Sequence, residues 1–211
     1  MPDCQPLYDA VLRGDATTAR SATEQALADG ASPLSLVHDS MMPAMVEVGR
    51  RFECNDYFVP ELLLAARAMK SALELIRPHL AAAGNPSAGR VVIGTVKGDL
   101  HDIGKNLVIA MLEGAGYEII DLGINVPPAR FVAAIRDKQP AIVALSALLT
   151  TTLPNMKATI DAIREAGLRD RVKILIGGAP VTRRYAEEIG ADGYAETAVG
   201  AVGLAKNVLP S

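Results

Sequence analysis

Residues 98–106 of the chain read Gly98-Asp99-Leu100-His101-Asp102-Ile103-Gly104-Lys105-Asn106. This stretch follows an apolar, β-branched run from Arg90 to Val96 and precedes an amphipathic segment. The pattern predicts a strand, a short loop and a helix. The loop carries one histidine, two carboxylates and two glycines. Imidazole is a common metal ligand, and glycine allows a ligand close to the backbone, so His101 is a candidate metal ligand.

The composition limits the metal site that the chain could build by itself. Its 211 residues, 50% of them hydrophobic, suffice for one large domain or two small ones. The chain contains three histidines and two cysteines. Cys4 and Cys54 lack the paired spacing of a structural zinc site, and a disulfide scaffold needs more cysteines. The sequence therefore predicts a reducing, cytoplasmic location.

The charge of the chain argues against two classes of partner. A net charge of -3 and a pI of about 5.6 give no basic footprint for nucleic acid or an anionic membrane, and no run rich in Lys and Arg is present. The N-terminus has no signal-peptide pattern, and no apolar run is as long as a membrane span. We therefore expect no nucleic acid and no membrane among the partners.

The first part of the chain has the period of helices. From Pro6 to about Leu80, apolar residues recur at helical spacing, which predicts a small bundle of four helices. Six residues are candidates for an apolar lid at one end of this bundle: Met41, Met45, Phe52, Tyr57, Phe58 and Leu62. The alternative is that the methionines only fill the core, because Met packs irregular gaps.

The period changes after a run of small residues and helix breakers at 81–89, which predicts a linker there. We expect a helical domain at 1–83, a linker at 84–89 and an α/β domain at 90–211. Continuous apolar runs predict strands buried on both faces of a parallel sheet. Five such runs are present: Arg90 to Val96, Glu118 to Leu122, Ala141 to Leu145, Lys173 to Ile176, and a weaker one from Asp192 to Tyr194.

The sheet topology predicts where a ligand binds. In an open doubly wound sheet, ligands bind beyond the carboxyl ends of the strands, where the strand order reverses. A flavodoxin-like order of five strands puts this point between the first and third strands. Small and polar residues follow the first, third and fourth strands: Gly98, Asp99 and His101; Ser146, Leu148, Thr150 and Thr152; Gly177 and Gly178. The alternative for the two adjacent glycines is an ordinary tight turn.

The loop after the first strand does not fit the common phosphate-binding motifs. It lacks the Gly-Lys-Ser/Thr ending of a Walker loop and the glycine spacing of the dinucleotide fingerprint. Asp99 lies two residues before His101, where its carboxylate can accept a hydrogen bond from one imidazole nitrogen and direct the other towards a metal.

These residues resemble a known family. Asp99-Leu100-His101-Asp102-Ile103-Gly104, followed by Ser146-Ala147-Leu148 and Gly177-Gly178, resembles the Asp-x-His-x-x-Gly, Ser-x-Leu and Gly-Gly signature of cobalamin-binding domains. The segments 45–52 and 57–63 are similar to the four-helix cap of methionine synthase and of small corrinoid proteins in methyltransferase systems. The resemblance covers nearly the whole chain, from about Leu7 to Leu204.

The resemblance implies a cofactor and a role for each matching residue. Cobalamin, in its methylcobalamin form, would bind with its own base displaced from cobalt and His101 in that place, with Asp99 and Thr152 completing a ligand triad. Its nucleotide tail would enter a groove in the α/β domain. The implied cofactor contacts are Gly98, Asp102, Ile103, Gly104, Ser146, Leu148, Thr150, Gly177 and Gly178, and the implied cap over the corrin is Met45, Phe58 and Leu62.

The resemblance also implies a function. Arg-Gly follows the Asp of the motif in radical mutases, whereas Ile103-Gly104 follows Asp102 here, which favours methyl transfer. The expected protein is a corrinoid methyl carrier between a substrate-specific methyltransferase and an acceptor methyltransferase. A reductive activase and a second copy of the chain are further candidate partners. The methyl donor is left open among methanol, methylamines, a methylthiol and an aryl methyl ether.

Two other functions are alternatives to the carrier. A cobalamin-binding sensor would use the helical half to contact a regulatory partner, but the sequence has no basic DNA-binding helix. A phosphoryl-accepting receiver with Asp99 as the acceptor shares the α/β fold. It would need a cluster of acidic residues after the first strand, and it leaves His101 without a role.

Overall fold

The chain forms two compact units in a computed structural model that describes residues 5–82 and 88–209. One unit ends at Ser87 and includes Glu113–Gly116; the other comprises Ala88–Leu112 and Tyr117–Ser211. Most of the expected linker at 84–89 lies outside the described residues.

The first unit is helical. Its third long helix is one continuous run made of three segments, so the four-helix arrangement predicted from the sequence is confirmed. The elements are α1 (Gln5–Arg13), α2 (Ala16–Ala28), α3 (Pro33–Ser35), a π-helical segment (Leu36–Met41), α4 (Met42–Glu53) and α5 (Val59–Ala82). In the π-helical segment the Met42 N–H bonds to the carbonyl of Val37, five residues earlier. Pro43, which has no N–H to donate to the preceding turn, follows this segment directly as the second residue of α4.

Local sequence signals explain where these helices begin and what they bury. Asp15 caps α2 by accepting a hydrogen bond from the Thr18 N–H at 3.0 Å. The apolar stripes of the four helices face one another. The largest side chains that they bury are Leu7, Leu36, Met41, Leu62, Met69 and Ile76.

The second unit contains a five-stranded parallel sheet. Its strands are β1 (Arg90–Thr95), β2 (Glu118–Asp121), β3 (Ile142–Ser146), β4 (Lys173–Gly177) and β5 (Gly193–Ala195), in the order β2-β1-β3-β4-β5. The predicted order, with its reversal between β1 and β3, is confirmed. The pairing register aligns Thr95 with Ser146 and Ser146 with Gly177. The loops after three strands therefore begin at the same level of one sheet edge.

The helices of this unit are α6 (Ile103–Gly114), α7 (Pro128–Lys138), α8 (Pro154–Glu165), α9 (Arg183–Ile189) and α10 (Ala198–Val208). Crossovers between parallel strands are right-handed. Because β2 is added on one side of β1 and the later strands on the other side, α6 lies on the opposite face of the sheet from α7 and α8. Phe131 and Ile135 of α7 and Met156 and Ile160 of α8 pack with β1, β3 and β4 in one core cluster.

Among residues 5–82 and 88–209, none of the helices combines the length and the hydropathy needed to cross a membrane.

Candidate functional site

Asp99 is the centre of the predicted site. Its side chain is 0% exposed and receives five hydrogen bonds. Oδ1 accepts from the backbone N–H of His101 at 3.1 Å and lies 2.7 Å from its Nδ1. Oδ2 accepts from the N–H groups of Leu148 at 2.8 Å and Leu149 at 3.2 Å, and from the Thr152 hydroxyl at 2.7 Å. The carboxylate thereby joins the loop after β1 to the loop after β3.

The hydrogen bonds decide the ionisation of Asp99 and, through it, the tautomer of His101. Burial by itself would raise the pKa of Asp99, but hydrogen bonds from Thr152, Leu148 and His101 outweigh it and hold that pKa well below its usual range. An ionised carboxylate only accepts hydrogen bonds, so the proton in the short contact is on His101 Nδ1. In the neutral ring, Nε2 then carries the lone pair.

The position of His101 suits a ligand that binds from outside. Its side chain is 48% exposed, while the Asp99 side chain that orients it has no exposed surface. The Thr95 hydroxyl donates to the carbonyl of His101 at 2.9 Å, which also fixes the backbone of the loop. The ring is therefore held on one side and open on the other.

The turn that carries Thr152 is also held by hydrogen bonds other than the one from Thr152 to Asp99. The Thr152 N–H bonds to the Leu149 carbonyl at 3.0 Å. The Tyr185 hydroxyl, on α9, donates to the Leu153 carbonyl at 2.6 Å, and burial raises the pKa of Tyr185. Asn155 donates to the Lys97 carbonyl at 2.8 Å and links the turn to the loop after β1.

The loop after β2 also contributes contacts to this edge that were not anticipated from the sequence. Asn125 accepts from the Gly98 N–H at 2.7 Å and donates its own N–H to the Asp99 carbonyl at 3.0 Å. Lys105 Nζ lies 2.6 Å from Asp121 Oδ2. The one sequence signal for Asn125 is its residue type in a turn between β2 and Pro127, because asparagine tolerates positive φ.

The glycines of the site fall into two groups. A Cβ on Gly178, where φ is +132°, would lie 1.8 Å from the Ala147 carbonyl oxygen, and one on Gly177 would lie 3.1 Å from the Ala195 carbonyl oxygen. These two glycines allow neighbouring backbones to approach. A Cβ on Gly104 would meet nothing within 4 Å. Gly104 therefore leaves open space beside the His101 loop.

Large apolar side chains are exposed around this edge of the sheet. They lie in the segments after β1, β2 and β3: Leu100, Ile103, Ile124, Leu148 and Leu149. Exposed apolar groups clustered around a polar centre are typical of a ligand-binding surface.

The remaining predicted residues have varied environments. Ser146 is half-buried at the end of β3, Thr150 is exposed, and Asp102 accepts from Asn106 Nδ2 at 3.1 Å in the first turn of α6. In the helical unit, Met45 and Leu62 are buried, whereas Phe58 is 62% exposed.

In the part of the chain that the structure describes, His101 has no group of other candidate metal ligands around it. Within residues 5–82 and 88–209, no three side chains of His, Cys, Asp or Glu are grouped so that they could hold a metal ion. A metal at His101 would need further ligands that a cofactor supplies.

The chain matches two families described as B12 binding domains, over residues 89–203 and residues 4–77. It is 42% identical to trimethylamine corrinoid protein 1 of Methanosarcina acetivorans, over 95% of this chain and 94% of that protein. It is 39% identical to a dimethylamine corrinoid protein of Methanosarcina barkeri, over 97% and 96%.

Two solved structures have the same fold. A cobalamin-binding protein of Desulfitobacterium hafniense superposes with a TM-score of 0.81 at 31% identity, over the whole of both chains. The methanol:cobalamin methyltransferase complex of Methanosarcina barkeri matches with a TM-score of 0.83 at 30% identity, over 96% of this chain and 78% of that one. The chain therefore belongs to the cobalamin-binding corrinoid proteins of methyltransferase systems.

Proposed function

We propose that the chain binds cobalamin with His101 Nε2 as the lower ligand of cobalt, in place of the cofactor's own base. The observation that carries this proposal is the buried Asp99 carboxylate, 2.7 Å from His101 Nδ1. It holds the proton on Nδ1 and leaves Nε2 as the free donor on a half-exposed ring. The donor set would fit a corrinoid, because a corrin ring would bring its own nitrogen ligands and His101 would supply one more.

The segments after β3 and β4 are the proposed groove for the nucleotide tail. Ser146 and Gly177 are aligned in the register of these strands, and Leu148, Thr150 and Gly178 follow them. Two features support the groove: Thr150 is exposed, and Gly178 allows the two backbones to lie close together. Gly98, Asp102, Ile103 and Gly104 would contact the cofactor from the His101 loop.

The proposed function is to carry methyl groups between two methyltransferases. When bound, the corrinoid supplies cobalt as the centre that accepts and gives the methyl group. The chain's own residues bind the cofactor, orient His101 through Asp99 and Thr152, and surround it with apolar side chains that exclude water. We propose a methylamine as the methyl donor, because the trimethylamine and dimethylamine corrinoid proteins are similar to this chain over nearly its whole length.

A labelling experiment tests the carrier function. The full chain loaded with cobalamin, which a chemical reductant keeps as cobalt(I), is incubated with trimethylamine methyltransferase and trimethylamine that carries radioactive methyl groups. We expect the label to stay with the wild-type chain, to fall to background with His101→Ala, and to leave when an acceptor methyltransferase is added together with its methyl-accepting substrate. No labelling from any methylamine would contradict the proposed donor, and labelling from methanol by its own methyltransferase would identify a different one.

We further propose that residues 1–83 form a cap domain, joined by residues 84–89 to a cobalamin-binding domain at 90–211. The separate family matches over 4–77 and 89–203 support this division. Of the three proposed cap residues, Phe58 has the most available surface, whereas Met45 and Leu62 would act by holding the helices in place.

Light sensitivity tests the cap. The bond between cobalt and a methyl group breaks in light, and a cap would slow the escape of the fragments. We expect Phe58→Ala to release the methyl group faster than the wild type. Val46→Ala, which truncates a similarly exposed apolar residue of α4, is the control and should have no effect. Equal release rates for Phe58→Ala and the wild type would contradict a role for Phe58 in the cap.

A further inference from the structure

The segment between β2 and α7 contacts the His101 loop on both sides of the histidine. We give the name clamp loop to residues 121–126, which are the last residue of β2 and the five residues that follow it. Asn125 contacts Gly98 and Asp99, which precede His101, and Asp121 contacts Lys105, which follows it. These contacts therefore hold the loop that carries the proposed cobalt ligand at both of its ends.

The first anchor is the ion pair of Lys105 and Asp121. The Lys105 side chain is 2% exposed, and its Nζ lies 2.6 Å from Asp121 Oδ2 and 3.0 Å from Asn106 Oδ1. A buried ammonium group is retained only where partners compensate its lost hydration. The other carboxylate oxygen, Asp121 Oδ1, accepts from the Gly123 N–H at 2.9 Å. Lys105 therefore ties the start of α6 to the start of the clamp loop.

The second anchor is Asn125. Its φ is +52°, and in this conformation its Oδ1 accepts from the Gly98 N–H at 2.7 Å while its own N–H donates to the Asp99 carbonyl at 3.0 Å. Val126 extends the contact, because its N–H bonds to the Thr95 carbonyl at 2.9 Å. Asn125 thus holds the backbone of Gly98 and Asp99, the part of the turn from which the Asp99 side chain reaches His101.

We propose that Asn125 and the Lys105–Asp121 pair are positioning residues that hold His101 for coordination of cobalt. This inference rests on the proposed function, in which His101 is the lower ligand. Asp99 sets the tautomer and ring direction of His101, whereas the clamp loop sets the backbone from which both side chains project. Without the clamp, the Asp99 contacts to Leu148 and Thr152 remain, but the turn before His101 gains freedom that coordination must then remove.

The matched variants at position 125 separate the hydrogen bond from the backbone conformation. Asn125→Gly keeps a residue that tolerates positive φ and removes the side-chain acceptor. Asn125→Asp keeps an acceptor oxygen at the same place and is the rescue variant. Lys105→Met removes the ammonium group with little loss of buried volume and leaves Asp121, 39% exposed, in contact with solvent. Lys157→Met, which breaks an exposed pair with Asp161 on α8, is its control.

The first measurement uses the full chain without cofactor and follows amide hydrogen exchange at Gly98 by NMR. The net value of one hydrogen bond predicts that Asn125→Gly exchanges about 3- to 10-fold faster than the wild type, while Asn125→Asp stays within about 2-fold of it. Equal exchange in the wild type and Asn125→Gly would show that the Asn125 side chain does not hold the turn.

The second measurement is electron paramagnetic resonance of bound, reduced cobalamin in protein that carries ¹⁵N-histidine. A ¹⁵N ligand splits the cobalt lines into doublets, whereas the ¹⁴N of the cofactor's own base gives triplets. We expect doublets in the wild type, a ratio of coordinated to uncoordinated cobalt at least about 3-fold lower in Asn125→Gly and Lys105→Met, and wild-type ratios in Asn125→Asp and Lys157→Met.

The outcomes distinguish this inference from the function on which it rests. Absence of doublets in the wild type would contradict His101 as the ligand, and the positioning role would fail with it. Doublets of the same ratio in the wild type, Asn125→Gly and Lys105→Met would leave His101 as the ligand and overturn the positioning role. That conclusion would hold even if Gly98 exchange were faster, because the clamp loop would then stabilise only the fold.

Discussion

At the scale of single residues, Asp99 connects the two loops of the site and sets the chemistry of His101. All its donors come from the loops after β1 and β3, although Asp99 and Thr152 are 53 residues apart in the chain. Because the carboxylate is fully buried, the loss of any donor leaves a charge poorly compensated.

Replacement of Thr152 tests this dependence. Thr152→Val keeps the shape of the side chain and removes the hydroxyl that donates to Asp99 at 2.7 Å. A hydrogen bond to a charged group contributes about 1.5 to 3 kcal/mol, so the free energy of unfolding should fall by about this amount in urea denaturation. Thr150→Val, at an exposed position, is the control and should stay within about 0.5 kcal/mol of the wild type. Equal losses in the two variants would contradict the special role of Thr152.

The sequence predicted part of this network. The spacing of Asp99 and His101 predicted their contact, and the resemblance to cobalamin-binding domains implied that Thr152 joins them. Asn125, Lys105 and Asp121 were not anticipated, because their contacts depend on the conformation of the loop after β2. No periodicity or motif encodes a left-handed asparagine whose side chain reaches back to a turn 27 residues earlier.

At the scale of elements, strand register brings the site together, and glycine determines how closely the strands' loops can approach. The strand order and approximate boundaries followed from apolar runs and from the general rule for doubly wound sheets. The π-helical segment before Pro43 did not, because its hydrogen bonds follow a local shift that helical spacing alone does not reveal.

Two alanine substitutions compare the glycines. Gly178→Ala would place a methyl group 1.8 Å from the Ala147 carbonyl oxygen at a φ of +132°, so the fold should lose about 3 kcal/mol or more. The methyl group of Gly104→Ala would meet nothing within 4 Å, and the residue lies in the first turn of α6. The free energy of unfolding of the cofactor-free chain, measured by thermal denaturation, should therefore change by less than about 1 kcal/mol. Its effect should instead appear as weaker cobalamin binding. A marked loss of stability in Gly104→Ala would contradict the open space.

An acid titration tests whether the ion pairs of Glu47 in α4 stabilise the fold. Hydrogen bonds from Arg50 and Arg51 lower the pKa of Glu47 to about 2 from an ordinary value near 4.5. A lowered pKa means that the ionised form stabilises the fold: this contribution is complete above about pH 4.5 and is lost as the pH falls towards 2. Urea denaturation should therefore show Glu47→Gln less stable than the wild type at pH 7, with a difference that shrinks below pH 4.5. A difference independent of pH would show that charge is not its cause.

At the scale of the whole molecule, the change of period near residue 89 predicted the two architectures, helical before it and α/β after it. The chain is similar to curated corrinoid proteins over 95% of its length, so both parts belong to the family's architecture. The sequence identified the cofactor through the loop that carries His101 and through the residues that meet this loop at the sheet edge. In the proposed function a partner enzyme selects the methyl donor, so we expect no signal for the donor in that loop.

The central claim is that His101, and no other histidine, coordinates cobalt. The chain has three histidines, and His38 and His79 are exposed residues of the helical unit. The most direct measurement is electron paramagnetic resonance of reduced cobalamin bound to ¹⁵N-histidine protein, compared among wild type, His38→Gln, His79→Gln and His101→Gln. The account predicts ¹⁵N doublets in the first three and their loss in His101→Gln. Triplets in the wild type, or doublets that persist in His101→Gln, would contradict it.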